Sequence, residues 1–336
     1  MTKRKNTIDV IKGIAIILVI ITHFEWTEDQ RKYFVFPFII NMAIPTFMII
    51  TGYVYSISLK KNMEKPGCIN STVEDAYDWL LIVKRVARYT IPLIPVIVWE
   101  LVDPKMNAPT TFMDILRWAI VGTVGSGSYY YPVMMQLIFL FPVIYFIIER
   151  KNERGFLICL IINAVYELLA WAYKMNIECY RFLVFRYIFL IAAGVYAFHG
   201  YKLKLFIGLA MTVIGAAFIS AVTYLGYEPR IVNGPWATTN FISSMLIIPI
   251  MIWILPNLRI RFLPLEIIGR ASYHIFLVQM MYYRGYYEKL QNRFLTWQGH
   301  LIAGIVICLT LGVAFYYIEK PLQDWVQRLL SSHFNE

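Results

Sequence analysis

Charge is scarce in this sequence. Only 15% of its 336 residues are Asp, Glu, Lys or Arg, while 59% are hydrophobic. A soluble domain carries about a quarter of its residues charged, so a water-solvated globule is excluded. Disorder is excluded as well, because disordered chains are poor in aromatics and this one holds 22 Phe, 24 Tyr and 9 Trp. Cysteine is sparse too. Cys68, Cys159, Cys179 and Cys308 form no Cys-x-x-Cys pair, and Cys159 and Cys308 lie inside apolar runs. That pattern suits membrane-core packing rather than a disulfide scaffold or a zinc site. No internal repeat and no low-complexity linker divides the chain, so residues 1–336 are expected to form a single transmembrane domain. The N-terminus is basic like that of a secretory signal, yet Lys12 interrupts its apolar run and no small-residue cleavage site follows. It reads as an uncleaved first span.

What the chain has in quantity is long apolar runs, and a membrane-spanning helix uses about 20 such residues. Hydropathy predicts ten spans, at about 8–24, 34–59, 80–102, 131–149, 155–173, 182–199, 203–225, 237–256, 265–283 and 300–319. The expected fold class is therefore all-α, a polytopic integral membrane protein. Basic residues concentrate on the cytoplasmic side of a membrane. With the N-terminus inside, nineteen Lys and Arg fall in cytoplasmic segments and eleven in outer ones, with Lys12 within the first span. Both termini are then expected in the cytoplasm of a multi-pass plasma-membrane protein. The net charge of +10 is a topology signal, and no nucleic-acid partner is needed to explain it.

Ionisable side chains within a membrane helix mark functional sites by default, and the first span carries Lys12 and His23. Eleven residues at 3.6 per turn is close to three turns, so both project from nearly one face, roughly 16 Å apart along the axis. Asp9, three residues before Lys12, can hold its ammonium. Taken singly, Lys12 also reads as a snorkelling interfacial cation and His23 as a histidine among headgroups; the shared face sets the pair apart. Glu25 points away from His23 if the helix continues, and reads as an outer-surface carboxylate.

The outer segment 103–130 ends in a Gly-, Ser- and Tyr-rich stretch that runs into Tyr129, Tyr130 and Tyr131. Tyrosines there suit either an interfacial aromatic belt or a platform for stacking on sugar rings. Asn163 and Glu167, spaced i, i+4, share an inward face as a packing contact or part of a cavity. Thr51 and Gly52 read as a close helix-packing point. Glu319, Lys320 and Pro321 read as a helix terminus, since proline lacks an N–H and a lysine suits the negative end of the helix dipole.

Five segments, in order, resemble acyltransferase family 3. Ile8-Asp9-Val10-Ile11-Lys12 leading to His23 is similar to that family's basic residue and histidine in the first helix. Phe47 through Thr51-Gly52-Tyr53 is similar to its phenylalanine-rich run ending in Ser/Thr-Gly. Lys84-Arg85-Val86-Ala87-Arg88 before Pro92 resembles its basic pair, Gly269-Arg270-Ala271-Ser272-Tyr273 its Ser-Tyr helix, and Glu319-Lys320-Pro321 its closing motif. Three positions depart from the pattern. Gln279 stands where a histidine is common, the Tyr129–Tyr131 run replaces a tryptophan, and Lys12 offers a point charge where arginine offers a bidentate fork.

The resemblance implies transfer of an acyl group, usually acetyl from acetyl-CoA as co-substrate, to a hydroxyl of a cell-surface glycan or lipid-linked oligosaccharide in a bacterial plasma membrane. It implies His23 as general base or transient acyl carrier, because a sugar hydroxyl needs help to lose its proton and imidazole has a suitable pKa. Lys12, Arg85 and Arg88 would hold the phosphates of coenzyme A, with Asp9, Ser272 and Tyr273 in support. Tyr129, Tyr130, Tyr131 and Gln136 are the candidate acceptor-binding residues. Acetyl-CoA, the glycan and membrane lipids are the expected partners, and no metal or redox cofactor is called for. The rival readings are a polysaccharide exporter or flippase without acyl transfer, and a non-catalytic membrane sensor.

Overall fold

The computed structural model describes residues 2–33, 36–64, 76–102, 111, 113, 127–227, 240–291, 293–294 and 296–333. Cys68, most of the 103–126 segment and the first residues of the 237–256 span lie outside the described residues. Among the described residues the chain is helical and has no strand. Ten helices frame the site: α1 (Thr2–Thr22), α2 (Ala43–Met63), α3 (Trp79–Val102), α4 (Tyr130–Ala172), α5 (Ile188–Phe198), α6 (Leu205–Tyr224), α7 (Ile248–Ile254), α8 (Leu263–Arg270), α9 (Ser272–Met281) and α10 (Trp297–His333).

Four helical segments are long and apolar enough to cross a membrane: Phe36–Met63, Tyr130–Ala172, Leu205–Tyr224 and Trp297–Ser332. The second of these is two helices. At Asn152 the backbone leaves the helical region (φ 46°, ψ −115°), and a Cβ on Gly155 would lie 2.2 Å from the carbonyl oxygen of Ile147. The chain therefore doubles back there, as the separate spans 131–149 and 155–173 require. Other runs expected to span are made of shorter pieces and are not among these four, each with a local cause. The 182–199 run begins as a 3₁₀ turn, Val184–Tyr187, before α5. In the 237–256 run, Asn240 caps a single turn, its side chain accepting from the Ser243 N–H at 3.0 Å, and Pro249 starts α7. The 265–283 run breaks at Ala271 between α8 and α9. α1 carries Asp9 and Lys12 within its apolar run.

Two close crossings organise the packing. α2 and α5 cross where Gly52 meets the Ile191 backbone and Gly194 meets the Ile49 backbone, within the larger hydrophobic core that also takes in both arms of α4. α1 crosses α8 where Gly13 meets Leu265 and Gly269 meets Asp9. A second core joins α1 to α9, α10 and a π-helical turn at Tyr282–Tyr286. Helices without side chains at the crossing approach backbone to backbone, the packing mode expected where lipid supplies no hydrophobic drive between helices.

Candidate active site

α1 stops at Thr22, one residue before His23. The next two N–H groups donate back three residues, His23 to Ile20 and Phe24 to Ile21, both at 3.2 Å. The expected helix to residue 24 thus ends in a tight turn, and Glu25 lies beyond it on an exposed surface. His23 Nδ1 lies 2.9 Å from the Val19 carbonyl oxygen. A carbonyl can only accept, so in the neutral ring Nδ1 carries the proton and Nε2 keeps its lone pair.

A cavity of about 60 Å³ adjoins that ring, room for a few water molecules. Its apolar walls come from Ile16 and Val19 of α1, Ile44, Phe47 and Met48 of α2, and Phe276 of α9. Its polar groups are His23, Tyr129, Tyr130, Ser272 and Tyr273. Five residues singled out from separate stretches of sequence are thereby brought together. Tyr273 is held by its hydroxyl, which donates to the Tyr89 carbonyl at 2.9 Å, and the Tyr130 ring packs 5.3 Å from Phe276. Gly127, at the entry to this tyrosine run, has φ 101° and sits where a Cβ would be 2.7 Å from the Phe276 ring. Only glycine meets both demands without strain.

The remaining candidates stand elsewhere. Lys12 pairs with Asp9 at 3.6 Å near the other end of α1. Arg85 is buried, its guanidinium 4.2 Å from the Tyr55 ring centre, whereas Arg88 is exposed. Tyr131 shares a 3.0 Å hydrogen bond with Thr90. Gln136 clamps the approach to α5, donating to the Phe182 carbonyl at 2.7 Å and accepting from the Val184 N–H at 3.2 Å. None of these lines the His23 cavity. Glu167 accepts from the Tyr180 hydroxyl at 2.7 Å, and Asn163 from the Phe189 N–H at 3.4 Å, so both serve the packing of the second α4 arm. Among the described residues no three His, Cys, Asp or Glu side chains cluster to hold a metal.

One pair escaped the sequence reasoning. His274, next to Tyr273, has Nε2 3.0 Å from Glu319 Oε2, with both residues 7% exposed, and so ties α9 to α10. Its ring rests edge-on against Phe315, 5.0 Å between centres. The rule that drew attention to Lys12 and His23, an ionisable group within an apolar span, applied equally to His274. Attention to Gln279 as the position of a missing histidine passed over it. Gln279 is fully buried, and its amide finds no hydrogen-bond partner among the described residues.

A family profile described as an acyltransferase domain matches residues 5–319. The chain belongs to acyltransferase family 3. The match takes in the His23 turn, the tyrosine run, the Ser272–Tyr273 step and Glu319. No curated protein and no solved structure matches the chain. The acyltransferase therefore has its candidate centre where the first helix ends, against α2 and α9.

Proposed function

We propose that this acyltransferase moves an acetyl group from cytoplasmic acetyl-CoA to a hydroxyl of an extracytoplasmic or lipid-linked polysaccharide in the plasma membrane. The observation that supports it best is the His23 ring, with Nδ1 bonded to Val19 and its side chain on a small, largely apolar cavity of acetyl-group dimensions. In the general-base route, Nε2 takes the proton of the sugar hydroxyl as its oxygen attacks the thioester carbonyl. The carbon–sulfur bond then breaks, and the departing thiolate takes the proton back from the imidazolium. In the acyl-carrier route, Nε2 itself attacks the thioester carbonyl and the carbon–sulfur bond breaks, releasing the thiolate; the sugar oxygen then attacks the acetyl carbonyl, the acetyl–Nε2 bond breaks, and the hydroxyl proton passes to the thiolate. Both routes need the Nδ1–H held away from the reacting centre, and the Val19 carbonyl does this.

Cations are needed for the phosphates of coenzyme A, and Lys12, Arg85 and Arg88 are the proposed set. Arg88 is the exposed member, and Arg85 beneath Tyr55 is suited to supporting the site from below. Mass spectrometry of surface glycans from cells with and without the gene tests the assignment. A loss of mass equal to one acetyl group per modified sugar is expected in the deletion. Unchanged acetylation with loss of surface polymer would replace the transferase by an exporter.

A further inference from the structure

Beyond Phe24 the chain borders a second, larger space. This cleft of about 440 Å³ lies within the range of roughly 300–1,000 Å³ typical of small-molecule sites. Five aromatic rings line it: Phe24, Trp26, Tyr287, Phe294 and Trp297. They are held rather than loose. Trp26 Nε1 donates to the Ile21 carbonyl at 2.8 Å, and its ring meets Trp297 edge to face at 5.7 Å. The Glu25 N–H donates to the Tyr287 hydroxyl at 3.3 Å.

The polar lining includes Glu25, Gln30 and His300. His300 is 3% exposed, stacks against Tyr287 at 4.4 Å, and has a buried Nε2 that finds no partner among the described residues. A buried ring nitrogen without a partner is unfavourable unless something bonds it, and the wall it occupies faces a space large enough to hold that something.

Aromatic planes beside a carboxylate, an amide and an imidazole match one ligand chemistry well. A pyranose ring has an apolar C–H face that stacks on aromatics, and hydroxyls around its edge that bond such polar groups. A lipid tail would leave the polar groups unused. A phosphate, whether of a headgroup or of coenzyme A, would meet the Glu25 carboxylate with no Lys or Arg among the described lining residues to offset it.

The cleft also adjoins the catalytic turn. Phe24 lines it and directly follows His23. Tyr283 packs 5.9 Å from the His23 ring and 5.2 Å from Tyr287, and its hydroxyl donates to the Ile20 carbonyl at 2.9 Å. Both tyrosines are set by the π-helical turn Tyr282–Tyr286, a widening of the helix that recurs at functional sites. Tyr283 thereby links the His23 ring to Tyr287 in the cleft wall.

We propose that this cleft binds a pyranose unit of the acceptor glycan, stacked on the aromatic wall formed by Trp297 and Trp26 and bonded by Gln30, Glu25 and His300, beside the sugar that is acylated. The inference rests on the reading of the acceptor as a glycan.

The full chain, purified in a detergent without a sugar headgroup, is tested by saturation-transfer difference NMR. The probes are methyl glucoside, galactoside, mannoside and N-acetylglucosaminide, each up to about 50 mM, with phosphocholine as competitor. At least one pyranoside is expected to receive saturation. Trp297→Ala should weaken it by about tenfold or more, Gln30→Ala by a few-fold, and Trp297→Phe should retain most of it. The Gln30 variant, at a half-buried position in a short surface helix, keeps the test informative if Trp297→Ala fails to fold. No pyranoside binding, binding indifferent to both substitutions, or displacement by phosphocholine would each overturn the proposal. Its failure is separable from that of the transferase reading. Acetylated glycan made by Trp297→Ala and Gln30→Ala with unaltered acceptor KM removes the cleft and leaves the reaction. Variant-sensitive sugar binding without any acetylation removes the reaction and leaves the cleft.

Discussion

The two ends of α1 differ in kind. Around Lys12 the helix is packed shut: Gly13 and Gly269 let α1 and α8 touch backbone to backbone, and the Lys12 ammonium is held by Asp9. Around His23 the helix stops, the backbone turns, and space opens on both sides, the small cavity toward α2 and α9 and the aromatic cleft toward α10. One end spends its sequence on closeness, the other on leaving room. A catalytic imidazole needs a fixed ring and an unfilled neighbour at once, and the closed end supplies the fixity. Anchored at α8, α1 can end abruptly without losing its place.

Substitutions at the closed end should therefore show in stability, and those at the open end in chemistry. The largest stability loss is expected from Gly269→Ala, whose Cβ would lie 1.7 Å from the Asp9 carbonyl oxygen. Forcing α1 and α8 apart should cost about 3 kcal/mol, read as a lowered melting temperature in detergent; an unchanged melt would mean the crossing is slack. Next, Glu319→Ala removes the partner of buried His274 and should cost about 2 kcal/mol. If thermal unfolding does not move, the pair does not bind α9 to α10. Tyr273→Phe deletes one hydrogen bond to the Tyr89 carbonyl, worth about 1 kcal/mol, and denaturant midpoints should resolve it. Smallest in stability is Lys12→Ala. Its ion pair is partly exposed, 27% for the Lys12 side chain, and worth under about 1 kcal/mol. The same variant should nevertheless raise KM for acetyl-CoA, and an unaltered KM would return Lys12 to a purely structural role.

Much of this was legible in the sequence, for physical reasons that also explain what was not. Apolar runs announce membrane helices because lipid admits little else, so the all-helical class and the two arms meeting at Asn152 followed from hydropathy. Breaks inside a run did not. Ala271, between Arg270 and Ser272, and the turn after Ser243-Ser244 interrupt helices at polar stretches only a few residues long, and hydropathy averages across them. His23, Tyr129, Tyr130, Ser272 and Tyr273 were found separately through their chemical character and the family resemblance, yet nothing along the chain shows that they share a wall. Arg85 illustrates the limit: beside Arg88 it has the look of a surface cation, yet it is buried against the rings of Tyr55 and Phe141 and donates to the Tyr55 carbonyl. A continuous helix would set Glu25 apart from His23; α1 instead ends at Thr22, and beyond it His23 lines the small cavity while Glu25 lines the aromatic cleft.

The account stands on the imidazole at the end of α1. The most direct measurement compares transfer of labelled acetyl from acetyl-CoA into surface glycan by wild type and His23→Ala, at equal membrane abundance and matched melting temperature. A loss of about 10²-fold or more is predicted, the range expected when a positioned acid–base group is removed. Undiminished transfer by the folded variant would contradict it.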